Sequence, residues 1–356
     1  MGASLSWPLS VLVVASAWAQ TPRCPANPKD FAALANAGLA LSREGHYAAA
    51  GDCYRKALAL NPKIPELQLN LALAEFKLGH FREAIPPLRA VLELDKTNSQ
   101  ARTLLGMSYF GAGQYADAVS TLDPVLGADP ANVELRFVLA QSCLWAGQYD
   151  RALKEFERLA REKPDSVGVQ VLVAQALDGL GYQNEAIAAM RAASRGSPPQ
   201  PNVHFGLGYL LWKQRHDEEA EKEFRLELAN DPSHAKAYAW LGDIALRRNE
   251  PDTARPLLEK ALHLSSDIRI AHLDLGIIYA DQKQYETAMT SFRRAVQLDP
   301  SRADAHYRLA RVYQALGREQ EARAELAIVK RLGEQRAEDA LYKVSGQPAA
   351  LSSLKE

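Results

Sequence analysis

One period of 34 residues governs this chain and leaves little freedom in what it can fold into. Pro62, Pro130, Pro164, Pro198, Pro232 and Pro300 are separated by 34 or 68 positions. Ala50, Ala84, Ala118, Ala152, Ala186, Ala220, Ala254, Ala288 and Ala322 form an unbroken second lattice at the same spacing. Tyr47, Phe81, Tyr115, Tyr149 and Tyr285 form an aromatic third. Ala37, Leu71, Leu105, Leu139, Val173, Leu207, Leu241, Leu275 and Leu309 form an apolar fourth. A fixed period of this length marks a stack of like supersecondary units, each too small to bury its apolar face alone.

Within one period the pattern is that of two antiparallel helices. In residues 99–132, Leu105, Tyr109 and Ala112 recur at helical spacing until Gly113-Gln114 interrupts them. Ala118, Leu122 and Val125 make a second apolar stripe, which Asp129-Pro130 ends. The lattice alanine marks a close helix crossing where a larger side chain would clash. Proline in the turn cannot extend the second helix and sets up entry into the next unit.

Leu275-Gly276, Tyr279, Tyr285, Ala288, Phe292, Ala295 and Pro300 stand at the offsets of the tetratricopeptide repeat, and the chain resembles that family over residues 31–336. The resemblance implies an all-α, right-handed α-solenoid of nine tandem repeats. Their bounds are 31–64, 65–98, 99–132, 133–166, 167–200, 201–234, 235–268, 269–302 and 303–336, with a capping helix and tail over 337–356. Departures are local. Lys96 and Ser266 replace the turn proline, and Glu227 replaces a small apolar residue. Gln68, Arg102, Arg136, His204, His272 and His306 occupy the place of the family's early tryptophan. Pro86, Pro87 and Pro256 are expected to kink or shorten second helices. The proline-rich stretch Gly196–Pro201 is the least helical joint.

Ahead of the repeats, residues 1–19 carry no charge. Their apolar run Leu9–Ala15 is followed by Ala17-Trp18-Ala19, the small-x-small pattern of a cleaved signal peptide. Export to a periplasmic or extracellular space is therefore expected, with residues 20–30 as a linker and no membrane span left after cleavage; retention as an anchor is the alternative. There, Cys24 and Cys53 could pair, or both could stay free thiols. Cys143 takes the lattice place of Tyr109 and Tyr279 and reads as a small buried apolar residue.

Chemistry is sparse. The formal net charge of −1 offers no basic field for nucleic acid. Three cysteines cannot make a four-cysteine zinc site. His46, His80 and His216 share one offset of the repeat and His204, His272 and His306 another, and no pair has the i, i+4 spacing of a zinc helix. No phosphate loop, dinucleotide fingerprint or nucleophile elbow occurs. No catalytic residue, cofactor or metal is expected.

The resemblance implies instead that first helices line a concave groove that receives a protein or peptide. Its inward offsets select Leu73, Phe76, Met107, Phe110, Phe137, Leu144 and Trp145, then Phe205, Tyr209, Trp212 and Trp240. Toward the end they select Asp243, Arg247, Asp274, Asp281, Arg308 and Arg311. Packing between neighbouring first helices is an equal reading for Phe137 and Phe205. Trp145, Trp212 and Trp240 are expected to be exposed, because the core lattice is filled without them. The lysine of the family's peptide-carboxylate clamp is missing: its offset holds Ala35, Leu69, Thr103, Phe137, Val171, Phe205, Ala239, Leu273 and Tyr307. The function expected is an exported, non-catalytic scaffold with a protein partner. The alternatives are an accessory subunit of an envelope or enzyme complex, and a regulatory relative of sugar-transferase arrays. Of the asparagine ladder of that last group, only Asn36 and Asn70 are present.

Overall fold

The computed structural model describes residues 23–24, 30–196 and 200–345, with side chains as far as residue 337. The expected leader, most of the linker and the tail lie outside the described residues. Those described form an all-α repeat solenoid of eighteen helices with no strand. Two compact halves divide at Glu155/Phe156, inside α8. The first half holds α1 (Phe31–Arg43), α2 (Tyr47–Leu60), α3 (Pro65–Lys77), α4 (Phe81–Leu94), α5 (Ser99–Gly111), α6 (Tyr115–Ala128), α7 (Val133–Trp145) and the start of α8 (Tyr149–Glu162). The second holds α9 (Val167–Gly179), α10 (Gln183–Ser194), α11 (Val203–Lys213), α12 (Asp217–Asn230), α13 (Ala235–Arg247), α14 (Pro251–Leu264), α15 (Arg269–Asp281), α16 (Tyr285–Leu298), α17 (Ala303–Ala315) and α18 (Glu319–Ser345).

The two helices of a pair approach closely because one offers a notch and the other a knob. A Cβ added at Gly38, Gly208, Gly242 or Gly276 would come within 2.6–2.8 Å of the side chain sixteen residues later: Tyr54, Phe224, Leu258 or Phe292. Those four large side chains are fully buried, as are lattice alanines Ala50, Ala118, Ala220 and Ala288. First helices end on a residue in the left-handed region. Glycine fills that place at Gly45, Gly79, Gly113, Gly147, Gly181 and Gly317, whereas Arg215, Asn249 and Lys283 accept the same conformation at φ 62–65°.

The joints between repeats explain the polar residues that stand where the family has tryptophan. Except for His204, which bonds Glu223 at 2.7 Å, they reach back six residues to the carbonyl of the inter-repeat turn. Gln68 donates to Pro62 O at 2.9 Å, Arg102 to Lys96 O at 2.5 Å, and Gln170 to Pro164 O at 3.0 Å. His272 and His306 bond Ser266 O and Pro300 O at 2.9 and 3.1 Å, and Arg136 does the same to Pro130 O. Arg136 and His306 also bond acids of the following helix, Glu155 at 2.7 Å and Glu325 at 2.5 Å. A tryptophan would supply apolar bulk here. These side chains instead satisfy a turn carbonyl that the second helix cannot use.

Two expectations need correction. α4 and α14 are not shortened: they run the same fourteen residues as α2, α12 and α16 despite Pro86, Pro87 and Pro256. Pro86 and Pro256 are each the sixth residue of their helix, where the missing N–H removes one bond near the start and the packed apolar face carries the helix on. No separate capping helix begins at residue 337, because α18 runs unbroken for 27 residues from the ninth repeat into it. The Gly196–Pro201 joint does shorten its neighbours: α10 has 12 residues and α11 has 11.

Cys24 and Cys53 are joined by a disulfide, Cα–Cα 5.3 Å, which ties the stretch before α1 onto α2. Cys143 is buried, and burial pushes its thiol up to about 11.

The notch has a direct test. Gly276→Ala should destabilise by about 1–3 kcal/mol, because its Cβ meets a fully buried ring 2.6 Å away. Gly333→Ala, in α18 with nothing within 4 Å, should stabilise by about 0.5–1 kcal/mol. Urea denaturation of the two variants checks the opposite signs. Equal effects would mean that glycine at position 276 is not there for space.

Candidate protein-binding surface

Helix α11 carries three of the candidate aromatics, and a buried carboxylate sets its start. Glu227, on α12 and 1% exposed, accepts from Asn202 N at 2.9 Å and Phe205 N at 3.0 Å. Its acid thus satisfies the first N–H groups of a helix whose preceding residues cannot cap it. Asn202 sits in the left-handed region at φ 65° and meets His234 Nε2 at 3.0 Å, so the joint is held from both sides. The apparent misfit of Glu227 in the apolar lattice is the device that fixes Phe205, Tyr209 and Trp212.

Those side chains meet the next first helix, α13. Trp212 and Trp240 lie 4.1 Å apart between ring centroids. Tyr209 is 5.7 Å from Trp212 and 5.4 Å from Trp240. Trp212 Nε1–H donates to Asp243 Oδ2 at 2.6 Å, and the Arg247 guanidinium lies 4.2 Å over the Trp212 ring. Arg247 in turn binds Asp243 through Nε at 2.8 Å and Asp217 at 3.1 Å. Phe205 contacts Phe224 at 5.7 Å and His234 at 4.6 Å. Trp212 and Trp240 are therefore half-buried against the core of α10–α13, not fully exposed as expected. Stacking and the bond to Asp243 hold them down, while their outer faces line open space.

That space is a cavity of about 600 Å³ lined by Phe205, Tyr209, Trp212, Trp240, Ile268 and Ile270, with charged side chains at its rim. A second cavity of about 420 Å³ lies between α9, α10 and α11, and shares Phe205 and Tyr209 with the first. The two make one trough along the first helices of the second half, divided by those two rings.

The expected charged face is reordered. Asp243 and Asp274 are buried, 8% and 3% exposed, so neither lines an open groove, and Asp243 supports the floor through Trp212. Burial raises the Asp243 carboxyl, against the opposing pull of Trp212 and Arg247. It drives Asp274 well above the usual carboxylate range, helped by the charge of Asp243 and opposed by Arg247 and Arg269. Asp274 Oδ2 has no hydrogen-bond partner. Arg308 and Arg311 are exposed on α17 but do not line the cavity. The basic residues that do so include Arg302, which precedes α17, and Lys236 on α13.

In the first half the candidates serve a different end. Phe76 packs edge-on against Phe81 at 5.3 Å, and Phe110 against Tyr115 at 5.9 Å. Both brace the turn between the two helices of their repeat. Phe137 is half-buried, and Leu144, also expected to face inward, is buried. Trp145 is 56% exposed and touches Tyr115 at 6.2 Å, so it matches the exposure expected of it. The described residues contain no cluster of three or more His, Cys, Asp or Glu side chains able to hold a metal.

A helix-pair solenoid with this repeat length and these notches defines a class of repeat scaffold. Residues 109–176, 174–235, 218–267 and 304–332 match family models described as tetratricopeptide repeat, and residues 276–317 match one described as TPR repeat. The chain is a tetratricopeptide repeat protein. Residues 43–125 also match a model described as anaphase-promoting complex, cyclosome, subunit 3. Similar solved structures include the APC/C hetero-tetramer Cut9-Hcn1, at 15% identity and TM-score 0.55, covering 85% of this chain and 73% of that one. Another is a tetratricopeptide repeat protein from Parabacteroides merdae ATCC 43184, at 16% identity and TM-score 0.53, covering 70% of this chain and 98% of that one. At such identities the likeness is one of fold. No curated protein matches the sequence.

The buried acid predicts a pH dependence. The folded state raises the Asp274 pKa, so protonation contributes stability that is complete below the unfolded value of about 4 and lost as pH climbs through the folded value. Asp274→Asn keeps the shape without the charge. It should be more stable than the parent at neutral pH, with a midpoint that falls less as pH rises above about 4 in denaturant titrations. A profile parallel to the parent's would remove Asp274 from this account.

Proposed function

We propose that the chain is an exported, non-catalytic scaffold that holds an extended segment of a partner protein along the first helices α9, α11, α13 and α15. The observation that carries this reading is the Tyr209–Trp212–Trp240 cluster. Three large rings packed on one another, Trp212 among them held by Asp243 and Arg247, line a cavity of about 600 Å³. A rigid aromatic floor of this kind anchors an interface at low entropic cost, and tryptophan, tyrosine and arginine are enriched among energetic anchors. The tetratricopeptide repeat fold supports the scaffold reading, since stacked helix pairs present their first helices side by side as a binding face.

Export is supported by Ala17-Trp18-Ala19 after an uncharged apolar run, together with a disulfide at Cys24–Cys53, a bond that persists in oxidising compartments. Mass spectrometry of the protein from its native cell should find Gln20 as the first residue. Intact Met1 in the cytoplasm would overturn that part of the reading.

Trp240→Ala is the cleaner binding probe, because Trp212→Ala also takes from the buried Asp243 carboxylate one of its two donors, leaving only Arg247. With a partner recovered by affinity capture on the mature chain, Trp240→Ala should weaken binding by about 2 kcal/mol. Arg308→Ala, on the exposed face of α17, should change it by about 0–1 kcal/mol. Unchanged affinity in a folded Trp240→Ala protein would exclude this surface as the binding site.

A further inference from the structure

The trough is not uniform in charge. Between α9 and α11 it is mostly apolar, lined by Val171, Ala174, Met190, Val203 and Leu210, with Asp178 as its one charged residue, paired with Lys213. The cavity between α11, α13 and α15 keeps an aromatic floor but is rimmed by four cations, Lys213, Lys236, Arg269 and Arg302, and by one acid, Asp267. Three of these five charges are already matched within the protein. Asp267 pairs with Arg294, Lys213 with Asp178 at 2.5 Å, and Arg269 with Asp304. Lys236 is exposed and has no ion-pair partner among the described residues. Arg302 is 54% exposed and reaches Asp304 only at 3.7 Å, beyond hydrogen-bond length, on a carboxylate already held by Arg269. Lys236 therefore stands over the aromatic floor unpaired, and Arg302 is matched only by a long, shared contact to Asp304 and by the nearby charge of Asp299.

We propose that the segment held here is acidic: an apolar or aromatic side chain seated on Tyr209 and Trp240 and flanked by carboxylates that Lys236 and Arg302 receive. This rests on the reading of the trough as a protein-binding surface and adds the chemistry of the ligand. The charges decide between ligand classes. A basic segment would bring like charge onto Lys236 and Arg302 while Asp267 is occupied by Arg294, which disfavours it. A neutral apolar segment would fill the floor but cover two cations without pairing them, at a desolvation cost. An acidic segment pairs both, and the rim charges also steer its approach. The site is distinct from the carboxylate clamp whose lysine offset holds no lysine in any repeat of this chain, because Lys236 and Arg302 lie at other positions of the repeat.

The test is selection of random peptides displayed on phage against the full mature chain, followed by anisotropy with fluorescein-labelled copies of the enriched sequences. The expected sequences carry Asp or Glu within two positions of a Trp, Phe, Leu or Ile. Their affinity should fall as salt is raised, a measurement on the unaltered protein that needs no variant. The double variant Lys236→Glu/Arg302→Glu, checked for folding by circular dichroism, should weaken them by about tenfold or more. Lys260→Glu, exposed on the second helix α14, should leave them unchanged. Enriched peptides that are basic or uncharged, yet lost on Trp240→Ala, would overturn this inference while leaving the binding surface in place. Acidic peptides indifferent to the double variant would overturn it as well. No peptide whose binding depends on Trp240 would remove the binding surface itself, and this inference with it.

Discussion

The notch that a first helix offers to the large side chain sixteen residues later sets the distance between the helices of a pair. Gly38 receives Tyr54, Gly208 receives Phe224, Gly242 receives Leu258 and Gly276 receives Phe292, each with no room for one more carbon. Close approach lets the lattice alanines lie flush in the same crossing and buries the knob completely. The binding face depends on it too. Phe224, seated over Gly208, is the ring against which Phe205 packs at 5.7 Å, so the floor of the trough is an outward continuation of the core contact. A looser pair would leave the aromatic residues of α11 without a base.

Above that contact, the polar groups divide into two kinds of work. Side chains at the joints, such as Gln68, Gln170 and His272, close a turn carbonyl six residues back. Side chains behind the trough hold rings in place: Asp243 takes the Trp212 N–H, and Arg247 covers the Trp212 ring while binding Asp243 and Asp217. The second kind is costly, since it buries the Asp243 carboxylate, and the charge of Asp243 adds to the raised pKa of the buried Asp274 on the next first helix. A surface that only had to be stable would not bury a carboxylate against its aromatic floor. One that must hold Trp212 and Trp240 rigid gains from the geometry it imposes.

The sequence made the repeat legible because every copy votes for the same positions: the alanine lattice, the turn prolines and the glycine exits are visible without coordinates. Trp212, Trp240 and Tyr209 could be placed on one face for the same reason. What stayed hidden belongs to single repeats. Glu227 looked like a defect, because its role depends on Asn202 and Phe205 in the shortened start of α11, which no period predicts. Asp243 and Asp274 were read as open groove charges, since offset alone does not tell how far a neighbouring first helix covers a side chain. Their partners, however, follow a rule that could be read: Trp212 and Asp243 are 31 residues apart, three short of a full period, which places one on α11 opposite the other on α13. The unbroken α18 was missed because a charged stretch with few apolar residues resembles both a new cap and the continuation of an old helix.

The carbonyl clasps at the joints are written in a span of six residues, from the turn to the start of the next helix. Glutamine, histidine and arginine all perform it, and it asks nothing of distant parts of the chain. The information for stacking one repeat on the next is therefore carried by the joint itself. A gene encoding such a protein can gain or lose a whole 34-residue block and still close the new boundary with the chemistry already present in each copy. Contacts that are short in sequence also form without waiting for chain ends to meet, so added length need not slow folding as it does in sheet proteins. The clasp thus makes the length of this scaffold an adjustable trait, open to change by duplication, while the single-repeat arrangement around Glu227 and Trp212 is the part that duplication cannot supply.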